Sequence, residues 1–256
     1  MRMKYVFKSV SVALATMGLL TSCLKEVNTA FAPGETPAVT EQVDGVMVVN
    51  TRYGRLYDKK LSSNEAGQCL IVDFTYNREN PDAMNVEGNG YYTVNVAHQE
   101  RVNQQRIQSG SMDKDRLLAG ELPLAYALSP LSETATYFDL IDNYLFLPSF
   151  YVAKGNPSVQ WQLSFNPKET PSEIDGHRVY PVYLRAVTQG KQETDATEEV
   201  RFALNAFNME PWFAALQAQG EPVERGLFLA IHYINGINAA DSTQFSWTVT
   251  DPLQVK

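Results

Sequence analysis

Few residues in this chain have the types and spacing that chemistry needs. The clearest is Cys23, which closes Leu20-Thr21-Ser22-Cys23 after a basic tip (Arg2, Lys4, Lys8) and an apolar run from Val10 to Leu20. A thiol set directly after small residues at the end of such a run suits acylation and signal cleavage. The other cysteine, Cys69, opens Cys69-Leu70-Ile71-Val72 and reads as a small buried hydrophobe. His98, His177 and His232 lie in or beside strand-like stretches with no ligand spacing. Glu198 and Glu199 are neighbours at a strand start, so they point to opposite faces and cannot alone form a facing glycosidase pair. The sequence holds no His-Glu-x-x-His, no zinc-spaced cysteine pair, no phosphate-binding Gly-Lys loop and no Gly-x-Ser-x-Gly elbow. The expectation is a non-enzymatic protein without cofactor or metal.

The segment around Cys23 carries the address. The apolar run is about a dozen residues, whereas a bilayer span needs about 20. Residues 1–22 therefore read as a signal peptide. Leu20-Thr21-Ser22-Cys23 resembles the lipobox of bacterial lipoproteins. That resemblance implies cleavage before Cys23, a diacylated thiol and an acylated amine, and two or more chains make such anchoring stable. Lys25-Glu26 resembles the Lys-acidic export tag of Bacteroidetes surface lipoproteins. The expected location is the outer membrane, held by lipid on Cys23 and displayed at the cell surface, with the periplasmic face as the alternative.

Charge narrows the partners. Residues 1–22 hold three basic side chains and no acids, so the remainder carries 18 Lys and Arg against 29 Asp and Glu. Such a surface argues against nucleic acid and against a polybasic lipid-binding patch. Tyr, Phe and Trp make up 11% of the chain, enough to furnish a stacking surface for sugar rings or a peptide. Tyr53, Tyr57, Tyr91 and Tyr92, with Tyr144 and Trp212 further on, are the candidates, while Trp161 and Trp247 fall on apolar strand faces and are assigned to the core. The expected partners are an envelope protein or a bacteriocin, with a glycan of a polysaccharide uptake system as the alternative.

The elements that must position these residues are strands. Residues 23–42, with Pro33, Gly34 and Pro37, show no apolar period and read as a lipidated tether. Residues 43–108 hold Gly45 to Val49, Arg52 to Tyr57, Gly67 to Tyr76 and Tyr91 to Val96, short β segments that suit a small closed barrel. Residues 109–136 read as a linker, charged at Asp113 to Arg116 and broken by Pro123 and Pro130. Residues 137–256 alternate with period two at Val159 to Phe165, Val200 to Ala206 and Phe245 to Val249. One helix is expected at Glu210 to Leu216, ended by Gly220. About seven strands with regular turns predict a β-sandwich. The fold class is all-β, a small N-terminal barrel followed by a C-terminal sandwich.

This layout, with Gln68 to Tyr76 followed by Tyr91 to Val96 and with Asp142-Asn143-Tyr144-Leu145 opening the second domain, resembles the NigD-like lipoproteins of Bacteroidetes. The resemblance implies an OB-type barrel joined to a β-sandwich. It implies no catalytic residue set, and only Cys23 carries over as a functional position.

Overall fold

The computed structural model describes residues 30–255 except 78, 81–87, 89, 112, 129–136, 191–195, 224–225, 239 and 242. Cys23 and the signal segment lie outside the described residues.

The barrel begins with β1 (Ala30–Phe31), β2 (Thr36–Val43), β3 (Val46–Thr51) and β4 (Gly54–Tyr57). A 3-10 turn over Lys59–Ser63 follows, then β5 (Cys69–Asn77), β6 (Tyr92–Thr93) and β7 (Asn95–Arg101). Strands β5, β2, β3, β4 and β6 are hydrogen-bonded in that order, and β7 returns to β5. Only Val94 separates β6 from β7, so the ring closes. The β4–β6 pairing is parallel and the other ring pairings are antiparallel. This is the small closed barrel expected from the strand pattern, in the OB arrangement that the resemblance implies. Asp44 and Gly45 both have positive φ, as a tight turn matched to strand twist requires. Ala38, Val49, Leu56, Leu70, Val72 and Phe74 fill the interior.

Two boundaries differ from the expectation. The tether does not run to residue 42, because Thr36–Val43 is a buried barrel strand. It shows no period two because both its faces are covered. Ala38 points into the barrel core and Val39 packs against the second domain. Nor do residues 109–136 form a linker between domains. The passage occurs at Val102, where β7 runs directly into β8 (Asn103–Arg106), already a strand of the sandwich.

The sandwich's first sheet takes β11 (Leu124–Tyr126), β12 (Asp139–Ile141), β13 (Tyr144–Lys154), β17 (Glu198–Asn208) and β8. Its second sheet takes β9 (Gln108–Ser109), β10 (Glu121–Leu122), β14 (Ser158–Phe165), β15 (Ser172–Ile174), β16 (His177–Gln189), β18 (Phe228–Ile237), β19 (Phe245–Val249) and β20 (Leu253–Gln254). The chain crosses between sheets at buried Ile107 and again at Pro123. Each strand there is two to four residues long, too short for a periodicity to be read. The prolines inside long strands sit where a neighbour is missing. Pro148 lies between the stretches of β13 paired to β12 and to β11, and Pro181 lies between the stretches of β16 paired to β15 and to β14.

The two sheets face each other through Leu145, Leu147, Trp161, Leu163, Leu184 and Ile231. Helix α1 (Glu210–Ala218) carries Pro211 in its first turn, where a missing N–H is tolerated, and Gly220 ends it with φ of 78°. It closes one end of this core with Trp212, Phe213 and Leu216. Barrel and sandwich share a third apolar cluster in which Val39, Cys69 and Ile71 meet Ile141, Phe146 and Ala206. Polar ties surround it. Asn50 donates to Asp142 (3.0 Å), Arg52 is ion-paired with Asp139 and donates to the Phe138 carbonyl (3.2 Å), and Gln104 bridges the Cys69 N–H and the Gly67 carbonyl.

Candidate functional site

The six aromatic candidates do not form one surface. Tyr53 stands in the β3–β4 turn, 39% exposed, with its ring 5.3 Å from Phe31 and 6.2 Å from Phe74. Tyr92 stacks on Tyr76 at 5.8 Å, and Tyr76 lies 5.2 Å from Phe31. These rings gather at the barrel end where β1 enters. Gly54 is what lets Tyr92 lie there, since a Cβ would meet its ring at 3.2 Å. Tyr57 and Tyr91 form a separate pair, 5.1 Å apart. Tyr144 is half-buried against the junction cluster. Trp212 is no binding candidate: at 1% exposure it packs into the sandwich core against Tyr180 and Phe213. Its spacing of four from Leu216 on a helix is the signal that would have marked it as core.

Trp161 is core as expected, at the inner face of β14. Trp247 is not. It lies half-buried on the outer face of the second sheet, its ring 5.3 Å from the Arg185 guanidinium and its indole N–H donating to the Lys114 carbonyl (3.0 Å). Among the described residues β19 pairs only with β18, at the sheet edge, and lies off the inner core.

That outer face holds a polar assembly the sequence did not disclose. The segment between β9 and β10 crosses over β14 and β16 and is pinned there. Lys114 and the Tyr183 hydroxyl both reach Glu169 Oε1, at 2.7 and 2.6 Å. Burial raises the Glu169 pKa, but these two hydrogen bonds outweigh it and hold the carboxyl below its ordinary value. His232 packs 5.0 Å from Tyr183, and burial, helped by Lys114, lowers its pKa. Arg185 is 5% exposed beneath the same segment. Its Nη atoms donate to the Asp113 and Arg116 carbonyls and to Glu121, while Nε has no partner among the described residues. Glu121 also accepts from the Leu118 N–H (2.7 Å), and burial still raises its pKa.

A cleft of about 380 Å³ opens beside this arginine, bordered by Gln108, Ser109, Ser111, Gln162 and Ser164. No described protein group hydrogen-bonds to those five side chains, so their polar atoms are available to a ligand. Among the described residues no group of three or more His, Cys, Asp or Glu could hold a metal ion.

A second feature lies on the outer face of the first sheet. Val200, Phe202, Leu204 and Ala206 form one apolar strip along β17. The period-two reading holds, but this face is turned away from the sandwich core. Leu204 and Ala206 are covered by the barrel, whereas Val200 and Phe202 are 60% and 45% exposed. Phe150 lies 5.3 Å from Phe202, and Tyr126, 54% exposed, is paired across the ladder with Phe150.

The fold thus defines an all-β protein in which an OB barrel is welded by a continuous strand to a β-sandwich. Residues 28–100 match the family described as the lipoprotein OB domain. A protein from Parabacteroides merdae shares the fold with a TM-score of 0.69, 19% identical over 86% of this chain and 97% of its own. A candidate lipoprotein from Bacteroides fragilis does so at 0.58, 13% identical over 89% and 98%. A NigD-like immunity protein from Bacteroides caccae aligns more loosely, at 0.44 and 11% over 84% and 90%. No curated protein matches the chain. The match and the shared fold agree with the expected layout, an OB barrel followed by a β-sandwich. Among the described residues no helix is long and apolar enough to cross a membrane.

Proposed function

We propose that the chain is a non-catalytic interaction module, anchored to the outer membrane through acylated Cys23 and displayed at the cell surface, that docks an envelope protein or a bacteriocin. The uncovered half of the β17 strip carries the reading. The same row of side chains is buried at Ala206, half-buried at Leu204 and left open at Val200 and Phe202. Exposed apolar patches of this kind mark protein contacts. The rings of Phe150 and Phe202 are inclined at 53°, so they do not form the flat floor a sugar ring stacks on. A photo-crosslinker replacing Val200 in the full lipidated chain, in native membranes, should yield a reproducible polypeptide adduct that Phe202→Asp abolishes. An adduct indifferent to Phe202→Asp, or none above background, sinks the proposal.

A second reading, a glycan-binding accessory of a polysaccharide uptake system, draws support from the polar cleft. Amides and hydroxyls without protein partners suit the hydroxyl pairs of a saccharide, and the volume is that of a small-ligand site. Retardation on polysaccharide affinity gels that is lost in Gln162→Ala would favour it over protein docking.

A further inference from the structure

We propose that the aromatic end of the barrel rests against the headgroup zone of the bilayer, so that the anchor sets the orientation of the protein as well as its location. This rests on the reading of Cys23 as the lipidated residue. Seven residue steps separate Cys23 from Ala30, where the described fold begins. A fully extended chain of that length reaches at most about 25 Å. Ala30 pairs with Asn77 and Phe31 with Tyr76, so the chain enters the fold at the very end where Phe31, Tyr53, Tyr76 and Tyr92 gather.

That end has the chemistry of an interfacial contact. Its rings carry no charge, and three of the four are tyrosines, with an apolar body and a polar tip that suit the boundary between hydrocarbon and water. Phe74 seals the barrel beneath them, fully buried, so the outer rings are a cap over a finished core. The acidic balance of the chain weighs against attraction to anionic lipid, which commits the contact to a zwitterionic surface. The contact can be weak. A short tether already confines this end to the membrane surface, where effective concentrations are about millimolar.

The test places a solvatochromic label at Tyr53→Cys in the full lipidated chain, reconstituted in phosphatidylcholine vesicles that contain a headgroup nitroxide lipid. Cys69 will not compete for label, since burial, with Asp142 nearby, pushes its thiol up to about 12. Asn80→Cys is a second site at the same barrel end, and Ile174→Cys, in the β15–β16 hairpin of the far sheet, is the reference. The expected result is blue-shifted emission and severalfold stronger quenching at 53 and 80 than at 174. Equal quenching at all three sites, in protein that co-sediments with the vesicles, overturns the orientation and leaves the anchor standing. Failure to co-sediment overturns the anchor, and the orientation with it.

Discussion

The barrel and the sandwich solve the same problem at different scales. Among the described residues the sandwich buries 26 side chains in one continuous core, and the barrel's interior holds nine. A domain of the barrel's size is marginal on its own core. The sandwich needs nothing from outside to cover its inner faces. The barrel completes its burial on its outer wall, where Val39, Cys69 and Ile71 are covered by Ile141, Phe146 and Ala206. A domain boundary in the chain is therefore not a boundary in stability.

The comparison breaks most readily in the cores. Trp212→Ala should cost about 3–5 kcal/mol and loosen both domains, because the barrel depends on an intact sandwich. Phe74→Ala should cost a similar amount but raise hydrogen exchange only in the barrel strands, with β14 and β16 still protected. Equal acceleration in both domains would contradict the asymmetry. Phe146→Ala sharpens it further. It removes a sandwich side chain at about 3–4 kcal/mol, yet the faster exchange should appear in β5 of the barrel.

A smaller effect concerns the thiol at the junction. Cys69→Ser places a hydroxyl in an apolar cluster and should cost about 1–3 kcal/mol in urea unfolding. In the native protein the Cys69 thiol should resist alkylation at pH 8, and Phe146→Ala should speed that reaction. Glu169 gives acid titration a handle on the sandwich. The Glu169 pKa is lowered on folding, so its contribution is present above its ordinary value of 4.5 and is lost as pH falls through the folded value. Glu169→Gln should flatten the loss of stability below that pH and leave the barrel's acid response unchanged. Least of all, Phe202→Ser should cost about 1 kcal/mol or less, since its ring is 45% exposed and gives up only ring contacts with Phe150 and Tyr137.

What the sequence disclosed follows strand length. β5, β14, β16 and β18 are long enough for their composition or alternation to be read directly, and α1 carried its own start and stop signals. Strands β8 to β11 were illegible, because two to four residues hold no period and their pairing partners lie far along the chain. The face of β17 was ambiguous for a different reason. Alternation tells that one face is apolar, not whether it meets the other sheet or another domain. Arg185 was beyond reach altogether. It occupies an outward position of β16, and its burial comes from a segment whose path no local pattern specifies.

Strand β8 gives the molecule a timetable. Asn103 donates to Asn205, a partner 102 residues later, while every pairing in the barrel lies within residues 30–101. A chain emerging from its N-terminus can close the barrel long before β17 exists. Until β12, β13 and β17 follow, the wall bearing Val39, Cys69 and Ile71 lacks its cover of Ile141, Phe146 and Ala206. The newborn protein thus passes through a stage with its first domain finished and one greasy side bare. The strands that hide it all belong to the second domain, later in the chain.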